Sequence, residues 1–188
     1  VSHFRIHDDG LARCSWVTND PIYIDYHDRE WGTPGRGQQA LFEAICLEGF
    51  QAGLSWLTIL RRREGFRRAF FGFDIEKVAT LDANDVERLM QDEGIIRNRA
   101  KILSAINNAN VILEKKLDLT SLIWSFAPEQ PVTPEEGFEW RATSKESDGL
   151  SKALKGLGFS FVGSTTMYAL MQSSGLVQDH APGCFRRA

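Results

Sequence analysis

The sequence predicts an all-α protein, and three observations carry that reading. Apolar residues recur at steps of three and four along most of the chain. Residues whose side chains cap helices stand ahead of several of these stretches. No alternating run exceeds four residues, Gly158–Val162 being the one candidate exception.

The elements follow in order. Residues 38–52 carry Leu41, Ala44, Ile45 and Ala52 on one 3.6-period stripe and form the first strong helix. Ser55 caps a second helix that runs on through Trp56 and the arginine-rich stretch to Phe71. Asp74 opens a short helix through Ala79. Asp82 opens a longer one with Val86, Leu89 and Met90 inward. The longest clean pattern, 98–115, aligns Ile102, Ile106, Ala109 and Leu113. Helices follow at 119–126, 147–156 and 164–174, the last closed by Gly175, which suits a left-handed cap. The stretch 127–146 holds three of the six prolines and many charges, and reads as a long loop. Residues 1–12 read as an N-terminal extension, disordered or tag-derived, ahead of a single domain over 13–188.

Composition narrows the class. The chain has 188 residues, a formal charge of −3, 43% apolar and 25% charged residues, which suits one folded domain and not a disordered one. No apolar run has the roughly 18–20 residues of a membrane span. Val1–Arg13 is polar and lacks the apolar core of a secretory signal. Three cysteines argue against a disulfide framework and for a reduced, cytoplasmic setting. The net charge, taken alone, points slightly away from nucleic acid. A monomer is the default.

Five features could carry chemistry. Cys14, His27, His180 and Cys184 make up a Cys2His2 set that suits tetrahedral zinc and would clip the two ends of the chain together, or they are four unrelated residues. Five of the eight Trp and Tyr residues fall between 16 and 56: Trp16, Tyr23, Tyr26, Trp31 and Trp56. They wrap a core as an irregular arm, or wall a pocket for a flat, cationic ligand. Glu48 shares the inward stripe of Leu41 and Ile45, and a carboxylate there is costly unless paired or used. Glu43 lies off that stripe, in water. The stretch Glu93-Gly94-Ile95-Ile96-Arg97 between two helices reads as an ordinary αα turn or as a helix-hairpin-helix turn, whose backbone N–H groups grip a phosphate. Arginines 61, 62, 63, 67 and 68, with Arg97, Arg99 and Lys101, form a basic face that is merely solvated or binds phosphate.

Longer motifs join these features. Cys14-Ser-Trp16, Asp20-Pro21-x-Tyr23-x-x-Tyr26-His27-Asp28-x-Glu30-Trp31-Gly32, Leu41-Phe42-Glu43-x-Ile45-Cys46-Leu47-Glu48-Gly49-x-Gln51-Ala52-Gly53-Leu54-Ser55-Trp56, Asp92-x-Gly94-Ile95-Ile96-Arg97-x-Arg99-x-Lys101 and Gly175-Leu176-Val177-x-Asp179-His180 stand in this order. Together they resemble the bacterial DNA-3-methyladenine glycosylase I family, over roughly residues 13–184.

The resemblance implies a helix-hairpin-helix glycosylase that flips 3-methyladenine out of alkylated double-stranded DNA and hydrolyses its N-glycosidic bond, without lyase activity. It assigns one structural zinc to Cys14, His27, His180 and Cys184. It assigns the base pocket to Glu48, Tyr23, Tyr26 and Trp56, with Trp16 and Trp31 supporting the wall and Glu48 as the catalytic carboxylate. It gives the DNA backbone to Gly94, Ile95, Ile96 and Arg97, and the gap left by the flipped nucleotide to the turn containing Gly53 and Leu54. Related glycosylases place an Asp some twenty residues past the hairpin, where Asp118 stands here, but this family is not expected to use it. The competing classes are a zinc hydrolase, which needs an open ligand position, and a non-catalytic zinc-containing helix-hairpin-helix DNA-binding module, which needs no base pocket.

Overall fold

A computed structural model describes residues 2–187. Among these residues a short hairpin, β1 (Phe4–Ile6) with β2 (Ala12–Cys14), precedes nine α-helices. These are α1 (Pro21–Arg29), α2 (Gln38–Gln51), α3 (Trp56–Ala69), α4 (Ile75–Ala79), α5 (Ala83–Leu89), α6 (Arg99–Glu114), α7 (Leu119–Trp124), α8 (Lys145–Leu157) and α9 (Ser164–Ser173). Among the described residues no helix is long and apolar enough to cross a membrane.

The caps sit where the side chains dictate. Ser55 accepts from the Thr58 N–H, Asp74 from Lys77, and Asp82 and Asp85 form a reciprocal box at the start of α5. Asp118, about twenty residues past the α5–α6 turn, is exposed and caps α7 by accepting from the Ser121 N–H and hydroxyl. α2 is the central helix. Eight of its fourteen residues are buried, from Leu41 to Phe50, and it packs against α3, α6, α7 and α9. That breadth of burial is why a one-stripe pattern describes it poorly.

Four expectations need correction. Within the expected extension 1–12, the chain from Phe4 on is ordered: β1 pairs with β2 in the register Phe4 to Cys14, and the Arg13 guanidinium is buried between Asp9 and Asp28. Strands three residues long leave no alternation to read. Residues 21–29 are a helix and not an irregular arm, opened by the Asp20 cap and Pro21. Its buried face is Tyr26 and His27, which an aliphatic pattern does not register. Gly158–Val162 is an irregular connection and not a strand, with Gly158 at φ 105° closing α8. Leu113 is exposed, and the buried face of α6 runs instead through Ile102, Ala105, Ala109 and Ile112.

The charged side chains also differ from expectation. Glu43 is not in water: it accepts two hydrogen bonds from Arg67, at 3.0 and 2.8 Å. Lys101 is buried, and its Nζ donates to the carbonyls of Phe50 (3.0 Å) and Ala52 (2.7 Å), closing the C-terminus of α2. Arg61 pairs with Asp20, Arg63 with Glu30 and Arg99 with Glu87. Among the described residues Arg62, Arg68 and Arg97 form no ion pair.

The turn between α5 and α6 is docked by backbone. Gly65 of α3 lies directly against the carbonyl of Gly94, with no room for a Cβ. Gly65→Ala is therefore expected to cost about 1–3 kcal/mol of stability, read by denaturant unfolding.

Candidate functional site: an aromatic cleft backed by a Cys/His cluster

All six residues expected at a base pocket line one cleft of about 370 Å³. Trp16 comes from the segment after β2, Tyr23 and Tyr26 from α1, Trp31 from the turn after it, Glu48 from the last turn of α2 and Trp56 from the start of α3. The rings pack on one another. Trp16 lies 5.1 Å from Tyr23 and 5.1 Å from Trp31, and Tyr26 lies 5.7 Å from Trp56. Sequence reasoning missed Trp140, Arg141, Ala169 and Gln172, which with Gln51 complete the lining. Trp140 was visible only as one of two aromatics, with Phe138, in a charged, proline-rich loop.

Glu48 is 5% exposed, and among the described residues no group donates a hydrogen bond to it. Burial pushes its carboxyl up to about 8. Burial, with Glu48 beside it, also raises Tyr26. The Trp56 Nε1–H is buried and has no partner among the described residues. Unpaired polar groups at the wall of a cleft mark a place where something polar and flat can be received. Tyr26, Glu48 and Trp56 also face a smaller cavity of about 270 Å³, which the Glu30–Arg63 pair borders.

The four expected metal ligands converge. The ligating atoms of Cys14, His27, His180 and Cys184 lie within 4.8 Å of one another, and all four residues are buried. Cys184 Sγ is 3.4 Å from His27 Nε2 and 3.7 Å from His180 Nδ1, and Cys14 Sγ is 3.9 Å from His180 Nδ1. A tetrahedral ion with ordinary bond lengths sets such edges at roughly 3.5 Å.

The outer partners suit the same purpose. His27 Nδ1 faces Asp28 at 2.8 Å, and His180 Nε2 faces the Trp31 carbonyl at 3.1 Å. The backbone N–H groups of Ala181 and Arg186 donate to Cys14 Sγ and Cys184 Sγ, at 3.3 and 3.4 Å. Contact with Cys14 first, then with His180 and His27, draws Cys184 toward thiolate, while Cys184 and burial push Cys14 up. The donor set and its surroundings fit a metal ion.

The cluster is also the back of the cleft. His27 stands 5.3 Å from Trp16, and His180 stands 4.7 Å from Trp31.

Two further features adjoin. Residues 51–54 form a type II turn, with Gly53 at φ 84° and the Leu54 N–H donating to Gln51. Gly53 and Leu54 line a groove that Glu48 also borders. Across the α5–α6 turn the Gly94 N–H is held by Asp92, Ile95 is buried and Arg97 is exposed. Arg61, Arg62 and Arg68 share a shallow depression with Gly94. The arginine-rich helix and the turn are one patch.

A family model described as methyladenine glycosylase matches residues 16–187. The chain belongs to the methyladenine glycosylase family. The DNA-3-methyladenine glycosylase 1 of Escherichia coli (strain K12) is 49% identical over 179 residues, covering 93% of this chain and 96% of that protein. A crystal structure of 3-methyladenine DNA glycosylase I superposes with a TM-score of 0.88 at 46% identity, covering 94% of this chain and all of the other. A variant of a 3-methyladenine DNA glycosylase I, solved in complex with 3-methyladenine, superposes with a TM-score of 0.86 at 33% identity, covering 94% and 97%. The methyladenine glycosylase match takes in the cleft, the Cys/His residues from His27 onward and the α5–α6 turn, and begins just after β2.

Proposed function

We propose that this chain is a monofunctional DNA-3-methyladenine glycosylase of base-excision repair. The observation that carries the reading is a buried, unpaired carboxyl inside an aromatic cleft. The flipped base is a cation when methylated at N3, so the bond to the sugar is already weakened. The C1′–N9 bond breaks, the bonding pair leaves with the base as neutral 3-methyladenine, and water adds its hydroxyl to C1′ and releases a proton.

Glu48 accepts hydrogen bonds from the adenine edge and, once ionised, favours the cation over neutral adenine. Tyr23, Tyr26 and Trp56 stack on the cation, and Trp16 and Trp31 hold that wall. A neutral base leaves Glu48 facing no charge, which is how the site discriminates.

DNA is held by three parts. Gly94, Ile95, Ile96 and Arg97 act as a helix-hairpin-helix turn on the phosphates, with Arg62 and Arg68 beside it. Gly53 and Leu54 enter the gap left by the flipped nucleotide. Zinc is the metal that a Cys2His2 set suits, held by Cys14, His27, His180 and Cys184. When bound it supplies four structural bonds and leaves no position open for a reacting water.

The test is release of free base from methylated duplex DNA. Liberation of 3-methyladenine with an intact abasic strand is expected. DNA binding with no base released would favour a binding module instead.

A further inference from the structure

Cys14 apart, the mechanism leaves the N-terminal hairpin and the loop 127–146 without a role, yet the two meet on one side chain. We propose that Trp140 is a base-contacting residue of the pocket, positioned by the hairpin, that sets affinity and selectivity for the flipped base. This rests on the glycosylase reading above.

Trp140 is half-buried and lines the same cleft as Glu48, Trp16 and Tyr23. Its indole is fixed at both ends. Nε1–H donates to the Asp179 carbonyl at 3.0 Å. The Asp179 carboxylate is held in turn by the Tyr168 hydroxyl (2.8 Å), by Gln172 Nε2 (2.9 Å) and by Thr133.

The far side of the indole is braced by His3 at 5.5 Å and 82°, and by Phe138 at 5.4 Å and 80°. His3 also packs on Phe138 at 5.3 Å, and its carbonyl accepts from the Ser15 N–H at 2.9 Å. The register of the hairpin therefore sets where His3 stands, and His3 helps set where Trp140 stands.

An indole kept only for packing would be sealed on every side. Here one end is tethered, one edge is packed and the remainder faces the cleft. Such a ring loses little freedom when a ligand arrives, so its contact goes into affinity. Its π-face favours a cationic purine over a neutral one.

The test compares Trp140→Ala, Trp140→Phe and His3→Ala with the unaltered protein. Binding of free 3-methyladenine and of adenine is followed by titration, and base release from methylated DNA in parallel. Trp140→Ala is expected to weaken 3-methyladenine binding roughly tenfold or more, as loss of an aromatic stacking partner does. Trp140→Phe should keep most of the affinity. His3→Ala, which removes no lining residue, should lose some affinity in the same direction.

Trp140→Ala binding 3-methyladenine as tightly as the unaltered protein would overturn the assignment. If that variant does not fold, Trp140→Leu keeps apolar bulk without a ring face, and unchanged affinity there overturns it equally. Unaltered protein that binds the base but releases none from DNA would overturn the glycosylase reading alone. No base binding by the unaltered protein would overturn both.

Discussion

Glu48→Gln is expected to lower kcat/KM for 3-methyladenine release by about 10²–10³-fold at pH 8.5. A carboxylate some 4 Å from a unit positive charge is worth about 4 kcal/mol at an effective dielectric near 20, and each 1.4 kcal/mol is roughly tenfold in rate. Glutamine keeps an acceptor and loses the charge.

The pH profile is the sharper measurement. Burial holds the free carboxyl up at about 8, so below that pH a proton must leave before the cation is paired. The unaltered protein should gain roughly tenfold in kcat/KM per pH unit up to about 8 and then level off. The Gln variant should be flat across the same range. Equal profiles would remove the electrostatic role.

Stability should move the other way. A buried carboxyl whose folded value is raised contributes stability that is complete below its ordinary 4.5 and is lost as pH rises through about 8. Glu48→Gln removes that loss, so the variant should be the more stable protein at pH 9 by denaturant unfolding. A catalytic defect joined to a gain in alkaline stability is hard to obtain from misfolding.

The second large effect belongs to the Cys/His cluster. One zinc per chain is expected by metal analysis, and Cys184→Ala should lose it. The expected cost is above roughly 4 kcal/mol, the range in which a lost metal site falls. Two buried imidazoles and a buried thiol are then left without their common partner. Chelation of the unaltered protein should reproduce the destabilisation before base release per folded molecule changes. Activity that rose with added metal in protein already folded would argue for a reacting metal instead.

The sequence shows helices best where caps and aliphatic stripes coincide. α3, α4 and α5 begin behind Ser55, Asp74 and Asp82, and α6 behind Asn98, each within a residue or so of expectation. It shows them worst where burial is aromatic. α1 buries Tyr26 and His27, and only its Asp20-Pro21 start signals a helix. The site residues and their meeting in one pocket were legible through the family motifs; periodicity alone left a core-wrapping arm as the alternative, because the convergence depends on α1, α2 and α3 meeting. Trp140 was unreadable for a different reason. Its importance comes from His3 and Asp179, neither of them near it in sequence. The basic face misled because charge was counted before pairing: Arg61, Arg63, Arg67 and Arg99 are spent on carboxylates, and Lys101 on two carbonyls.

The Cys/His cluster also imposes an order on synthesis. Cys14 and His27 leave the ribosome early, whereas His180 and Cys184 follow nearly all of the helices. His180 backs Trp31, and Cys184 touches His27, which backs Trp16. A nascent chain therefore carries the early aromatic residues without the support that shapes them into a pocket. A chain cut short ahead of residue 180 would keep most of its core and lack a finished base site.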